Sequence, residues 1–546
     1  MLTWGESLAK QSFIKGAVIL TLAGASVRFV GAFFRIFLAA LIGDEGMGLF
    51  QMAYPVYVSL LAVSTAGVPI AISKLVAENL AYGNYRGAYK IFRVALTLLA
   101  ISGLVVSISL YFGADFIARV ITQDSRAYYS LISISPAIFL VTVMSAYRGV
   151  FQGQQQMIPT AFSQIIEQVG RAASALLLAA LFLPSGLEFA AAGASFGAAA
   201  GAFCGLGLLL VVSLRQRKEF IAKLRSQRIP DREKADKIIP RIVSLAVPIT
   251  LGSLVMLLIA IIDLFLVPQR LHDAGFDTSR ATALYGQLTG MASPLVNIPT
   301  IVTVALAISL VPAISEALAL KEEKLIQERS YLAVRLTLLL ALPSTFGLFL
   351  LAEPITILLF QNAEAGKPLA VLSLGVIFLT LFQVTSAILQ GLGRTMIPVT
   401  SMLWGAAVKT ILTWHLTALP ALHISGAALG TVAGFGVAAL LNLYRVQVLT
   451  GMSLRSLELL VKPLFASLGM AAAVLMIYPR LAALHPLLGL SSANKVATLG
   501  SVFAGALVFG LLFLLLGGVR RSELLLLSRI GKPLVSLLEK LHLLRG

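Results

Sequence analysis

The 546-residue chain reads as an all-α polytopic membrane protein of about fourteen transmembrane helices. Twelve form two six-helix lobes related by a parallel repeat, and two more follow them. Three observations lead there. Only 12% of residues are charged, 58% are hydrophobic and mean hydropathy is +0.93, whereas a soluble domain carries roughly 25% charged residues. Second, Gly193, Gly197 and Gly201 match Gly426, Gly430 and Gly434 without a gap at an offset of 233, which makes the chain two similar halves. Third, Lys and Arg are distributed unevenly between alternate loops, as a membrane topology demands.

Taken in order, apolar windows longer than the roughly 18 residues that mark a span fall at 13–42, 49–76, 88–112, 127–150, 158–183 and 188–213. A polar stretch, Arg215 to Lys237, is too short to bury a core of its own. Spans resume at 240–268, 284–315, 330–352, 367–390, 398–418 and 424–448, with the extra pair at 460–479 and 495–517. The first span does not read as a cleaved signal, because Arg28 and Arg35 interrupt its apolar run and no A-x-A site follows. The second ends in Ala71-Ile-Ser-Lys74, echoed by Ala313-Ile-Ser-Glu316 at the end of the eighth. The fifth opens on Met157-Ile158-Pro159 and the eleventh on Met396-Ile397-Pro398. The sixth and twelfth carry the glycine ladders, whose expected use is close helix packing. Pro55, Pro69, Pro136, Pro248, Pro294, Pro299 and Pro312 mark places where a helix can kink. The expected organisation is therefore 1–225 for the first lobe, 226–455 for the second, 456–518 for the last two helices and 519–546 for a tail. That tail interleaves leucines with Arg529, Lys532, Lys540 and Arg545, the pattern of an amphipathic helix on a lipid surface.

Six spans per lobe is an even number, so the lobes share an orientation, and transporters of this kind bind substrate between them near mid-membrane. With the N-terminus inside, 31 of the 42 Lys and Arg residues fall in inner loops and tails and seven in outer loops. Both termini are expected in the cytoplasm of a bacterial cell. The net charge of +18 then reflects topology and attraction to anionic membrane lipids. Basic residues spread over separate loops do not make a nucleic-acid surface.

Six ionisable residues within spans are singled out: Arg28, Arg35, Glu167, Arg171, Asp263 and Lys409. Each charge at mid-helix costs about 2.5–3.5 kcal/mol on insertion scales, so the six should face one another or a wet cavity. Glu167 and Arg171 are four apart and can pair on one helix. Lys409 is the repeat-equivalent of Gly170, and Arg35 that of Asp263, which suggests an Arg35–Asp263 bridge. Four cations against two anions leave surplus positive charge, suited to a phosphate or pyrophosphate whose oxygens Arg grips with a planar fork. Arg28, Arg35, Arg171 and Lys409 are the candidate substrate-binding residues, and Arg35, Asp263 and Glu167 the candidate gate pairs.

Enzyme chemistry has no footing in the motifs. The five histidines form no metal-ligand spacing and no phosphate-binding glycine loop occurs, so no catalytic residue, metal or cofactor is assigned. The single Cys204 supports no disulfide framework.

The string from Gly46 through Gln51, Tyr54, Pro55 and Tyr57, then Thr65 to Lys74, resembles the stage V sporulation protein B-like polysaccharide transporters. So do Tyr147-Arg148-Gly149, Gln152-Gly153, Ile158-Pro159-Thr160 and Gln164-Ile-Ile-Glu167-Gln168. These belong to the multidrug/oligosaccharidyl-lipid/polysaccharide exporter superfamily, which includes the MurJ-type lipid II flippases. The resemblance spans essentially the whole chain. It implies a V-shaped pair of six-helix lobes, a groove lined by the last two helices, and alternating access that carries a lipid-linked sugar from inner to outer leaflet. Arg28 fits the first Arg of the MurJ-type first span, while Phe34-Arg35 stands where that type has Arg-Asp.

The expected function is a flippase for an undecaprenyl-pyrophosphate-linked saccharide, a lipid II-like precursor. Its partners would be that lipid-linked oligosaccharide, membrane lipids and, for coupling, a cation. The outer ends of spans one, two, seven and eight would act as the outer gate. Two rivals are a cation-coupled multidrug exporter of the same fold and a membrane-embedded glycosyltransferase or polymerase.

Overall fold

The computed structural model describes residues 4–65, 67–226, 235–452, 460–484 and 489–518. The amphipathic helix expected at 520–545 lies outside the described residues. Among those described, regular structure is helical throughout. The chain packs as two compact units, Met1–Gly290 and Met291–Gly546.

The first unit opens with α1 (Trp4–Thr65), two helical arms that meet at Gly43, where φ is 68° and ψ −171° and the chain reverses direction. Only glycine is comfortable there. The reversal is measurable: nineteen residues of straight helix span about 28 Å, but the Arg35 guanidinium lies 5.6 Å from the Tyr54 ring centre. Phe34 and Phe50 likewise meet with centroids 6.3 Å apart. The first two predicted spans are thus the antiparallel arms of one helical hairpin.

The second arm stops at Gly67, φ 76°, and resumes as α2 (Val68–Ala81) with Pro at its first turn. A Cβ at Gly67 would strike the Ala246 backbone, so α7 passes against this break. Then come α3 (Tyr85–Phe116), α4 (Ala127–Gly153), α5 (Met157–Phe182), α6 (Leu187–Ser226), α7 (Ala235–Asp273) and α8 (Thr278–Gly286). Ile72, Leu75 and Val76 of α2, Ile91 and Leu99 of α3, and Ile238 and Ile242 of α7 form one apolar cluster. The repeat in the sequence divides the chain at 225/226, whereas packing of these side chains keeps α7 with the elements before it.

The second unit holds α9 (Ser293–Val296), α10 (Thr300–Ala319), α11 (Glu323–Leu350), α12 (Ala352–Phe360), α13 (Gly366–Ser373), α14 (Gly375–Gly391), α15 (Met396–Thr417), α16 (His423–Thr450), α17 (Lys462–Ala482) and α18 (Leu490–Leu515). Helices α17 and α18 form a hairpin tied to the rest at both ends. At one end Arg335 and Lys462 donate to the Gly518 and Gly517 carbonyls just past α18, where helix carbonyls lack partners and favour cations. At the other, Asn494 bonds Tyr478 and the Pro354 carbonyl.

Eleven helices among the described residues are long and apolar enough to cross a membrane, or twelve counting α13 and α14, bent by 46°, as one. One of the eleven stretches, Phe29–Ala81, is 53 residues long and supplies two crossings because it contains the reversal at Gly43. The 39-residue α7 covers the seventh predicted span. The predicted spans fall on helical elements, but 49–76 is divided between α1 and α2, 284–315 among α8, α9 and α10, and 367–390 between α13 and α14. The protein is a multi-pass, all-helical membrane protein.

The glycine ladders pack as expected. Gly193 lies on Leu178, Gly197 on Ala175 and Gly201 on Glu167 and Arg171, joining α6 to α5. In the second unit Gly426 lies on Leu416, Gly430 on Thr413 and Gly434 on Gly405 and Lys409, joining α16 to α15. A Cβ built on Gly201 would fall 2.7 Å from Arg171 Cβ, and one on Gly434 2.9 Å from Lys409 Cβ. The third rung of each ladder thus seats a basic residue in the same register.

Candidate functional site

Inside the first unit, polar side chains from α1, α4 and α5 meet. The ring of Tyr54 is the centre. Arg35 comes from the other arm of the α1 hairpin with its guanidinium carbon 5.6 Å from the ring centre, and Arg171 comes from α5 at 5.1 Å. Arg171 also lies 5.9 Å from the ring of Tyr57, a residue only 4% exposed. Two cations share one aromatic ring, each contact contributing about 0.5–2 kcal/mol. Tyr54 and Tyr57 are three apart and so fall on one helix face.

One turn along α5, Glu167 accepts a hydrogen bond from Arg148 of α4 at 2.7 Å, and the same guanidinium donates to Ser163 Oγ at 3.0 Å. The geometry follows from the α4–α5 hairpin. A connection of three residues, Gln154 to Gln156, sets the end of α4 beside the start of α5, where Arg148 reaches across. Arg35, Arg148 and Arg171 against Glu167 leave this cluster two positive charges in excess.

The structure draws some of the expected residues together and separates others. Arg35 and Arg171 meet on Tyr54. Glu167 takes its ion pair from Arg148, not from Arg171 one turn away, because Arg171 is turned onto the two tyrosines. Among the described residues no ion pair joins Arg35 to Asp263. Arg35 lies over Tyr54, and the Asp263 side chain of α7 lies near the buried Tyr285 of α8. Lys409, 3% exposed, sits in the second unit beneath Gly434. The side chain of Arg28 lies outside the described residues. Arg148, Tyr54 and Tyr57 were not among the residues expected to act. A Tyr pair flanking Pro55 and an Arg close to a short interhelical turn were the available signals.

A second polar group closes one end of the unit. Arg126, between α3 and α4, donates to Glu45 at 2.7 Å and to Asp124 at 2.8 Å. Thr282 of α8 donates to Asp124 at 2.8 Å, Ser279 to Glu45, and Gln287 to Asp44 at 2.7 Å. The hydrogen bond that Arg126 donates to Asp124, seconded by the one to Glu45, holds the guanidinium above its ordinary pKa against the pull of desolvation. Gly48 and Gly286 allow the α1 and α8 backbones to touch. This clasp joins the turn of the α1 hairpin to the start of the predicted eighth span.

Comparison with known proteins is consistent across the chain. Residues 13–318 match the family model described as polysaccharide biosynthesis protein, and residues 288–415 match MatE. Stage V sporulation protein B of Bacillus subtilis (strain 168) is 31% identical over 97% of this chain and all of its own length. Lipid II flippase MurJ of the same organism is 30% identical over 78% of this chain and 81% of its own. Among solved structures, lipid II flippase MurJ in an inward closed conformation aligns with TM-score 0.65 at 15% identity, over 91% of this chain and 98% of that one. An inward-facing multidrug resistance MATE family transporter aligns with TM-score 0.60 at 17% identity, over 78% and 94%. These structural likenesses establish the fold.

Proposed function

The chain belongs to the polysaccharide biosynthesis protein family, and from that premise we propose that it is a flippase for an undecaprenyl-pyrophosphate-linked saccharide. It would carry this lipid II-like precursor from inner to outer leaflet of a bacterial cytoplasmic membrane by alternating access, with both termini inside. The observation that carries the reading is the pair of guanidinium groups, Arg35 and Arg171, held on one tyrosine ring with no ion pair of their own among the described residues. Arg148 already occupies Glu167, the acid nearest them in the cluster.

Charges are retained within a membrane only where something answers them. A pyrophosphate offers several oxygens to planar donor forks and neutralises two cations at once. Arg28 and Lys409 stay in the proposal as further cations on the strength of the sequence. The clasp of Arg126 with Glu45 and Asp124 is the proposed outer gate, joining outer ends of the first, second and eighth spans. Asp263 belongs to the same gate through its neighbour Tyr285.

The same-fold alternative, a cation-coupled drug exporter, has the MatE match in its favour. An organic cation, however, calls for surplus acid, and the cluster on Tyr54 has surplus base. The deciding experiment reconstitutes the purified protein in liposomes with labelled lipid-linked sugar. Transfer between leaflets with the lipid chemically unaltered supports the proposal. Transfer that survives undiminished in the double variant Arg35→Ala/Arg171→Ala, at normal protein level, removes it.

A further inference from the structure

A cavity of about 590 Å³ inside the first unit has no part in the transport reading. It is walled by α2, α3, α4 and α6 near the N-terminal end of α3, within the size range of about 300–1,000 Å³ that suits a small amphipathic ligand. Its sides are aromatic. Tyr89 meets Phe220 with ring centroids 6.0 Å apart, and Phe92 meets Tyr147 at 5.2 Å. Along α4 the lining passes from Tyr147 to Gln154, about 10 Å of helix axis, so aromatic depth gives way to amide. There Gln216 donates to Gln156 at 3.0 Å. Gln154 and the exposed Arg217 line the same cavity, and among the described residues neither side chain has a hydrogen-bond or ion-pair partner.

Basic residues predominate in the elements around the cavity, although Glu219 stands between Lys218 and Phe220 on α6. Arg86, Lys90 and Arg93 stand on the first turns of α3, and Arg215 and Lys218 flank Arg217 on α6. Glu78 on α2, the acid nearest in sequence to the α2 lining, is engaged by Arg241 at 3.0 Å and Lys74 at 4.0 Å. Leu214 and Tyr89, which also line the cavity, are 62% and 40% exposed on the unit's surface. Aromatic residues and basic side chains in this combination are the chemistry of a membrane interface.

We infer that this cavity binds one anionic phospholipid, its phosphodiester at Arg217 and the glutamine amides and one acyl chain between Tyr147, Phe92 and Tyr89. The site is separate from the Tyr54 cluster and does not depend on the flippase reading. Occupancy would brace α3 against α6 at the lipid headgroup level.

The test measures lipid retention, not transport. The full chain is taken from nanodiscs of phosphatidylglycerol and phosphatidylcholine, and bound lipid is counted by native mass spectrometry. Wild type should retain one phosphatidylglycerol in preference to phosphatidylcholine, and excess inorganic phosphate should not displace it. Arg217→Gln should weaken retention about fivefold, the loss of one headgroup cation, and Val150→Trp, which fills the cavity, should abolish it. Arg217 is exposed, so its variant keeps the test decisive if Val150→Trp fails to fold. Equal retention of the two lipids, displacement by phosphate alone, or wild-type retention by Arg217→Gln would each overturn the inference.

Discussion

Arg148 of α4 holds Glu167 of α5 at 2.7 Å, although Arg171 stands one turn away on Glu167's own helix. The pair is largely buried, with side chains 15% and 21% exposed. Removing one partner of a buried pair costs about 3–5 kcal/mol, less where some water remains. Glu167→Gln leaves three arginines with no anion between them, and it should lower stability by about 2–3 kcal/mol on that principle. Thermal melts in detergent should show the loss, and the swapped double variant Arg148→Glu/Glu167→Arg should recover more than half of it.

The ladder glycines make a second, independent prediction. A methyl at Gly201 has to fit against the Glu167 backbone and Arg171 Cβ, and one at Gly434 against Gly405 and Lys409. Overpacking of this kind costs about 1–3 kcal/mol. Gly201→Ala and Gly434→Ala should each lower the melting temperature, whereas Gly207→Ala, with open space beside it, should not. Equal effects at all three positions would mean that the ladder register is wrong.

Most of the fold could be read because the membrane imposes the criterion that the sequence displays. Hydropathy located most of the helical segments, and the step-of-four glycines marked α6 and α16 for close packing, while α5 and α15 as their partners emerge only in three dimensions. The polar cluster was only half legible. Spacing favoured Glu167 with Arg171, since i,i+4 pairing is a local property worth only about 0.2–0.5 kcal/mol. A guanidinium arriving from α4 and two aromatic faces from α1 outweighed it. In the sequence Tyr54 stands out only as part of a resembling string, and its site role stays hidden for a related reason: tyrosine is common in apolar spans, and nothing in one dimension shows that residues 35 and 171 converge on it.

The clasp should respond to loss of its single arginine. Without Arg126, the acids Glu45 and Asp124 face each other with no cation between them. The Arg126–Glu45 pair is partly exposed and contributes about 1 kcal/mol or less. Asp124 is buried, however, and losing its cation costs up to about 3 kcal/mol, which together is at most about a thousandfold in an opening equilibrium. In a Cys204→Ala background, Ala283→Cys, a buried position on α8, reports opening by its labelling with a water-soluble thiol reagent. Arg126→Gln should speed labelling by up to that factor. Because its neighbours hold the guanidinium above its ordinary pKa, the charge persists through the working range, and mild alkali should not imitate the substitution.

Arg171→Lys separates charge from shape at the Tyr54 cluster. Lysine keeps the positive charge but loses the planar fork, and its ammonium is too strongly hydrated to rest equally well on the rings of Tyr54 and Tyr57. If the cluster grips a pyrophosphate through paired oxygens, Arg171→Lys should slow movement of a pyrophosphate-linked lipid about tenfold, the worth of one charge-assisted hydrogen bond. A monophosphate-linked analogue, which offers fewer oxygens to the fork, should be slowed less. Tyr54→Phe preserves the aromatic face and should leave transport within a few-fold of wild type, while Tyr54→Leu removes the seat of both Arg35 and Arg171 and should approach the effect of losing a cation. Parallel transport assays of the four proteins decide the matter. If Arg171→Lys moves both lipids at the wild-type rate, the two guanidinium groups serve only to hold α1 against α5, and the substrate's charge is met elsewhere.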